Sequence, residues 1–226
     1  MNRGEPQAPR LALIFDMDGV IVDSNPTHRE AWEAFNRRYG IETTEAMHQR
    51  MYGKHNADIV RDYFGPELPP AEVAARGAAK EEVYRELAAG RIEQMLVPGL
   101  RGFLEEYSDL PKGVGSNAEP ENVEFILERS GLRRFFEAVV DGHQVRNPKP
   151  DPEVFLRVAD LLGMPPARCI VFEDSPAGVQ AGLAAGMRVI GLGTTFGNLP
   201  GTNITVDNFL SGQLRRWLGS QIAAGG

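Results

Sequence analysis

Alternation constrains this chain more than any other feature. Short apolar runs at Leu11 to Phe15, Lys112 to Ser116, Ala138 to Asp141, Cys169 to Phe172 and Arg188 to Leu192 have the length and continuity of strands buried on both faces. Segments with helical spacing separate most of them. Asn122 to Ser130 sets Val123, Ile126 and Leu127 on one face ahead of Gly131. Glu153 to Leu162 does the same with Val154, Phe155, Val158, Leu161 and Leu162 ahead of Gly163. Ser175 is placed to cap a further helix, with Pro176 at its first position and Gly186 just past its end. Strands and helices in alternation predict an α/β protein whose parallel sheet is covered on both faces.

The alternation breaks once. Between Phe15 and Lys112 no strand-like run occurs, and residues 25–96 read as helical. Thr27 to Tyr39 sets Ala31, Trp32, Phe35 and Tyr39 on one stripe, and Ala71 to Ala89 is rich in Ala, Glu, Arg and Leu. Such an insert is expected to form a helical cap over the C-terminal edge of the sheet, where open parallel sheets collect ligands. Pro98 and Gly99 mark the return. The expected organisation is a core of residues 1–24 and 97–226 and a cap of residues 25–96, which suits a chain of 226 residues.

Composition narrows the partners. A net charge of -7 without a dense stripe of Lys and Arg repels a phosphate backbone, which sets nucleic acid aside as the main ligand. No run has the length of a membrane span, and Met1 to Arg10 is polar, so a cytoplasmic protein with no membrane partner is expected. The single cysteine, Cys169, stands in an apolar run and reads as a small core residue.

The chemistry concentrates where the apolar runs end. The first runs into Asp16, Met17, Asp18 and Gly19. Two carboxylates at i and i+2 after a buried strand serve no packing purpose. They suit a hard cation, or a division of labour between an anionic nucleophile and a proton donor. Ser116 and Asn117 end the second run, where a hydroxyl and backbone N–H groups can bind phosphoryl oxygens or merely cap a helix. Lys149 sits between Pro148 and Pro150; it is either solvated surface or a fixed ammonium that neutralises carboxylates and a transferring phosphoryl group. Glu173 and Asp174 end the fourth run and can complete an oxygen-rich magnesium site with Asp16, although Asp174 beside Ser175 also suits a helix cap. Each feature is ambiguous singly, but together they bring carboxylates, hydroxyl and lysine to one sheet edge.

These motifs, Asp16 to Asp18 with Gly19 and Val20, then Ser116, then Lys149, then Phe172 to Gly178, resemble those of the haloacid dehalogenase superfamily. The similarity lies with the branch that includes β-phosphoglucomutase and phosphoglycolate phosphatase, and spans the chain beyond its first ten residues. It implies a Rossmann-like, doubly wound core with an inserted α-helical cap, and a phosphoric monoester hydrolase acting through an aspartyl phosphate. On that resemblance Asp16 is the nucleophile and Asp18 the general acid and base. Ser116, Asn117 and Lys149 hold phosphoryl oxygens. Asp16, Asp18 through its backbone carbonyl, and Asp174 hold Mg2+, with Glu173 beside them. A second aspartate at position 18 argues for phosphoryl transfer over dehalogenation.

The cap should select a small phosphorylated metabolite, of the sugar phosphate, polyol phosphate or phosphoglycolate type. His28 matches a histidine of the mutase-like branch, and Lys54, His55 and Asn56 align with a substrate-facing loop. Lys54 and His55 also read as ordinary exposed surface, and His28 as a plain residue at a helix N-terminus. Lys80 is expected on a solvated helix face. The branch's mutases carry an arginine where Asn56 stands and a lysine shortly after the core serine, where this chain has Asn117, Ala118 and Glu119. Both departures favour a phosphatase over a β-phosphoglucomutase-like mutase, and a catalytically silent binding protein is the third reading.

Overall fold

A computed structural model describes residues 11–51 and 55–224. Six parallel strands form one sheet: β1 (Ala12–Phe15), β2 (Lys112–Gly115), β3 (Ala138–Val140), β4 (Cys169–Glu173), β5 (Arg188–Leu192) and β6 (Ile204–Val206), in the order β3-β2-β1-β4-β5-β6. The α/β, Rossmann-like expectation holds. The sixth strand was not foreseen, because Ile204 to Val206 is a three-residue edge strand of which only Val206 is buried, and it offers too little apolar sequence to stand out. From β1 the chain builds outward to β2 and β3 on one side, then returns to place β4, β5 and β6 on the other. The reversal falls between β1 and β4, and such a switch point opens a crevice at the strands' C-terminal ends.

The chain divides into two compact units, residues 24–95 and residues 1–23 with 96–226. The first is all helical: α1 (Asn25–Arg37), α2 (Glu45–Met51), α3 (Asn56–Phe64), α4 (Pro70–Ala88) and α5 (Ile92–Met95). Its core joins Trp32 and Phe35 of α1 to Ile59 and Val60 of α3 and Val73 of α4. Tyr39 departs from the expected buried stripe and is 48% exposed. Helix α1 ends at Arg37, so Tyr39 lies past its last turn, where its ring packs on Phe64 at 5.0 Å beneath the Arg76 guanidinium.

In the second unit the sheet is flanked by α6 (Leu100–Glu106), α7 (Pro120–Arg129), α8 (Glu153–Leu161), α9 (Pro176–Ala184) and α10 (Gly212–Ala224). Period-two alternation sends Ile14 and Val171 into a cluster with Val154, Phe155 and Val179 of α8 and α9. Phe15 and Phe172 go to the opposite face, against Phe103 and Phe209. Cys169 is buried in the first cluster, where burial pushes its thiol up to about 11. Among the described residues no helix is long and apolar enough to cross a membrane.

Candidate active site

Strand ends β1 and β4 lie side by side, with Phe15 paired to Phe172, and the Asp16 N–H continues the ladder by donating to the Phe172 carbonyl at 3.0 Å. Asp16 and Asp174 therefore leave adjacent strands at one edge. Between them the chain turns at Gly19, whose φ of +77° belongs to the left-handed region. Space forbids a side chain there as firmly as the dihedral does, because a Cβ on Gly19 would stand 1.8 Å from Asp174 Oδ2. Glycine thus lets the Asp18 turn close against Asp174.

Lys149 is the cation of this edge. Its ammonium is buried, donates to Asp16 Oδ1 at 2.7 Å and to Glu173 Oε1 at 2.8 Å, and lies 4.6 Å from the centre of the Phe155 ring. Its backbone N–H donates to Asn117 Oδ1 at 3.1 Å, which ties the loop after β2 to the lysine. Ser116 is buried beside it, with its hydroxyl oxygen accepting from the Ala118 N–H. The lysine loop is braced further on, where the Glu153 carboxylate accepts the N–H groups of Arg146 and Asn147.

Glu173 anchors the opposite side. While Oε1 takes Lys149, Oε2 accepts the N–H groups of Asp174 and Ser175 at 2.9 Å each and the Ser175 hydroxyl at 3.0 Å. Helix α9 begins there, with Pro176 at its first position and the Ser175 side chain accepting from the Gly178 N–H, as its sequence predicts. Gly178 is required by close approach: a Cβ would meet Glu173 Oε1 at 1.7 Å.

One ammonium faces an excess of carboxylates. Asp16, Glu173 and Asp174 are all buried, each with an oxygen within 4.8 Å of the others, and Asp18 stands near enough to act on Asp16. Burial pushes the Asp16 carboxyl up against the pull of Lys149, and Glu173 and Asp18 add to the rise, leaving it at about 7. Burial, then Glu173 and Asp16, also drive Asp174 well above the carboxylate range. Burial works against the Lys149 charge, but Asp16 and Glu173 outweigh it and raise the ammonium above its ordinary value. An all-oxygen donor set with surplus negative charge fits a hard divalent cation.

The helical unit holds its own polar cluster. Lys80, expected on a solvated face, is 1% exposed, a correction that local periodicity could not foresee. Its ammonium lies 2.5 Å from Glu81 Oε1, 3.2 Å from His28 Nδ1 and 5.1 Å from the centre of the Trp32 ring. Asn56 donates to Glu81 at 2.6 Å, and His28 stacks on Tyr84 with centroids 3.9 Å apart. Of the residues expected to meet substrate, His28 and Asn56 join this cluster, whereas His55 is exposed at the start of α3 and Lys54 lies outside the described residues. Burial pushes Glu81 up, but Lys80, His28 and the hydrogen bonds from Lys80 and Asn56 prevail and hold it at about 2.

Comparison with known proteins agrees with this fold. The family model for haloacid dehalogenase-like hydrolases matches residues 11–186. The chain is 35% identical over 181 residues to the fructose-1-phosphate phosphatase YqaB of Escherichia coli, covering 79% of this chain and 94% of that protein. It is 31% identical over 191 residues to the β-phosphoglucomutase of Bacillus subtilis, covering 80% and 83% respectively. Among solved structures, a β-phosphoglucomutase from Clostridium difficile superposes with a TM-score of 0.79 at 26% identity, over 94% of this chain and 97% of that one. With its matched length and these relatives, the chain is an enzyme that belongs to the haloacid dehalogenase-like hydrolases.

Proposed function

We propose that this enzyme is a magnesium-dependent phosphatase of small phosphorylated metabolites, sugar or polyol phosphates foremost, that works through a phosphorylated Asp16. The observation that carries the reading is the Lys149 ammonium, buried between Asp16 and Glu173 beside Asp174. Such a site has the charge to orient a nucleophilic carboxylate, and a surplus that calls for a cation.

Lys149 fixes Asp16 Oδ1 and leaves the other oxygen to attack phosphorus in line with the departing alkoxide. As the P–O bond to the leaving group breaks, Asp18 gives its proton to that oxygen. Asp18, now a carboxylate, then takes a proton from water, whose oxygen attacks the phosphorus of the aspartyl phosphate and frees both inorganic phosphate and Asp16. Mg2+ bound by Asp16, Asp174 and the Asp18 carbonyl, with Glu173 beside them, would offset the repulsion between carboxylate and phosphate. Ser116 and Lys149 would hold the phosphoryl oxygens, assisted by the backbone at Asn117. The phosphatase relative supports hydrolysis of a phosphorylated sugar, and we propose His28, Lys54, His55 and Asn56 as the residues that meet the leaving group.

The test is phosphate release from a panel of small phosphate esters, including fructose 1-phosphate and β-glucose 1-phosphate, with Mg2+ and with chelator, while glucose 6-phosphate is followed in parallel. Mg2+-dependent release of phosphate is the expected result. Glucose 6-phosphate formed without net release would overturn it in favour of a mutase.

A further inference from the structure

Strand β5 ends beside the candidate site. Its register sets Gly191 against Glu173 of β4, so the next residues, Gly193, Thr194 and Thr195, emerge at the edge where Asp174 stands. Both threonine hydroxyls face that edge. Thr194 Oγ1 donates to the Gly19 carbonyl, in the turn that carries Asp18, and the Thr195 hydroxyl lies near enough to the Asp174 carboxylate to work against the rise in its pKa. Asp174 and Thr195 converge on one place: a Cβ on Gly19 would stand 1.8 Å from Asp174 Oδ2 and 3.0 Å from Thr195 Oγ1. The bare Cα of Gly19 therefore lets hydroxyl and carboxylate close on the turn together.

We infer that Thr195 is a positioning residue for Asp174, its hydroxyl donating to the carboxylate so that the remaining lone pairs are aimed at the divalent cation; this rests on the metal-dependent reading above. A carboxylate on a short side chain keeps torsional freedom about its terminal bond, and a cation requires one orientation of its oxygens. The neighbours Glu173 and Asp16 are anionic and repel Asp174, so they cannot fix that orientation by attraction. A hydroxyl donor can. Outer partners of this kind typically contribute about 10–100-fold in metal affinity. Thr194 serves the same geometry from the other side by holding the Gly19 carbonyl, which steadies the turn between Asp18 and Val22.

The deciding measurement is Mg2+ affinity by titration calorimetry on the wild type, T195V and T195S, beside the thermal midpoint of each in chelator. Valine keeps the volume and loses the donor, whereas serine keeps the donor and loses the methyl. We expect T195V to raise the Kd for Mg2+ about 10–100-fold with little change in the chelated midpoint, and T195S to stay within about threefold of wild type. Should T195V lose its thermal transition, T195A carries the same comparison. Wild-type affinity in T195V, or T195S as weak as T195V, overturns this inference while leaving the metal reading intact. A wild type that binds no Mg2+ overturns both.

Discussion

The rings of Phe15 and Phe172 lie face to face, with centroids 4.7 Å apart and planes within 4° of parallel. Each immediately precedes an acidic residue of the site, Asp16 and Glu173. The pair thus fixes the spacing of the two strand ends from beneath, with Phe103 and Phe209 closing the same aromatic cluster.

Truncating Phe172 to alanine should therefore cost about 3–5 kcal/mol of stability, the usual toll of a large aromatic removed from a closed core. Urea unfolding is the check: the midpoint should fall with the slope unchanged. A loss below about 1 kcal/mol would mean that the cluster repacks and does not set the spacing.

Substituting Asp16 by asparagine should abolish turnover and leave folding intact. Burial already works against the Asp16 charge, so removing it relieves a desolvation penalty while Glu173 keeps Lys149 paired. Steady-state phosphate release and a thermal scan on the same preparation decide the matter. Appreciable remaining turnover would remove Asp16 as the nucleophile.

The sheet was legible because its inner strands are buried on both faces and so are apolar throughout, and because Ser175 with Pro176 announces α9 by its own chemistry. The acidic edge was legible because carboxylates directly after buried strands conflict with packing. The threonines after β5 gave no such signal, since a hydroxyl in a Gly-flanked loop is ordinary surface until the register sets it beside Asp174. Lys80 and Glu81 were illegible for a related reason. Their burial is created by Trp32 and His28, which are distant in sequence, while their own helix is mixed in charge and shows no clear apolar face.

Mg2+ should stabilise the protein against heat. If the cation enters the cluster of Asp16, Asp174 and Glu173, saturation at a hundredfold excess over Kd adds about 2.7 kcal/mol. For a chain of this size that is a rise of roughly 5–10 °C in the midpoint. Differential scanning fluorimetry across a Mg2+ series should show the rise, chelator should reverse it, and Asp174→Asn should lose most of it. A midpoint indifferent to Mg2+ would count against any metal in this cluster.

Glu81 gives the helical unit an acid-sensitive stability whose direction follows from its environment. Facing Lys80, His28 and Asn56, its carboxyl stands at about 2 in the folded protein against an ordinary 4.5. A depressed folded value favours the native state above the unfolded value, so this contribution is complete near neutrality and drains away as pH falls from about 4.5 toward 2. A shift of this size corresponds to something on the order of 3 kcal/mol. Glu81→Gln should lower stability at pH 7, because Lys80 is left buried beside a neutral partner. The gap between wild type and variant should narrow at pH 3, where the unfolded wild type has taken up the proton that the folded form still excludes. Urea unfolding at the two pH values measures that gap directly. A gap of equal size at both would mean that Glu81 acts through its shape and hydrogen bonds and not through its charge.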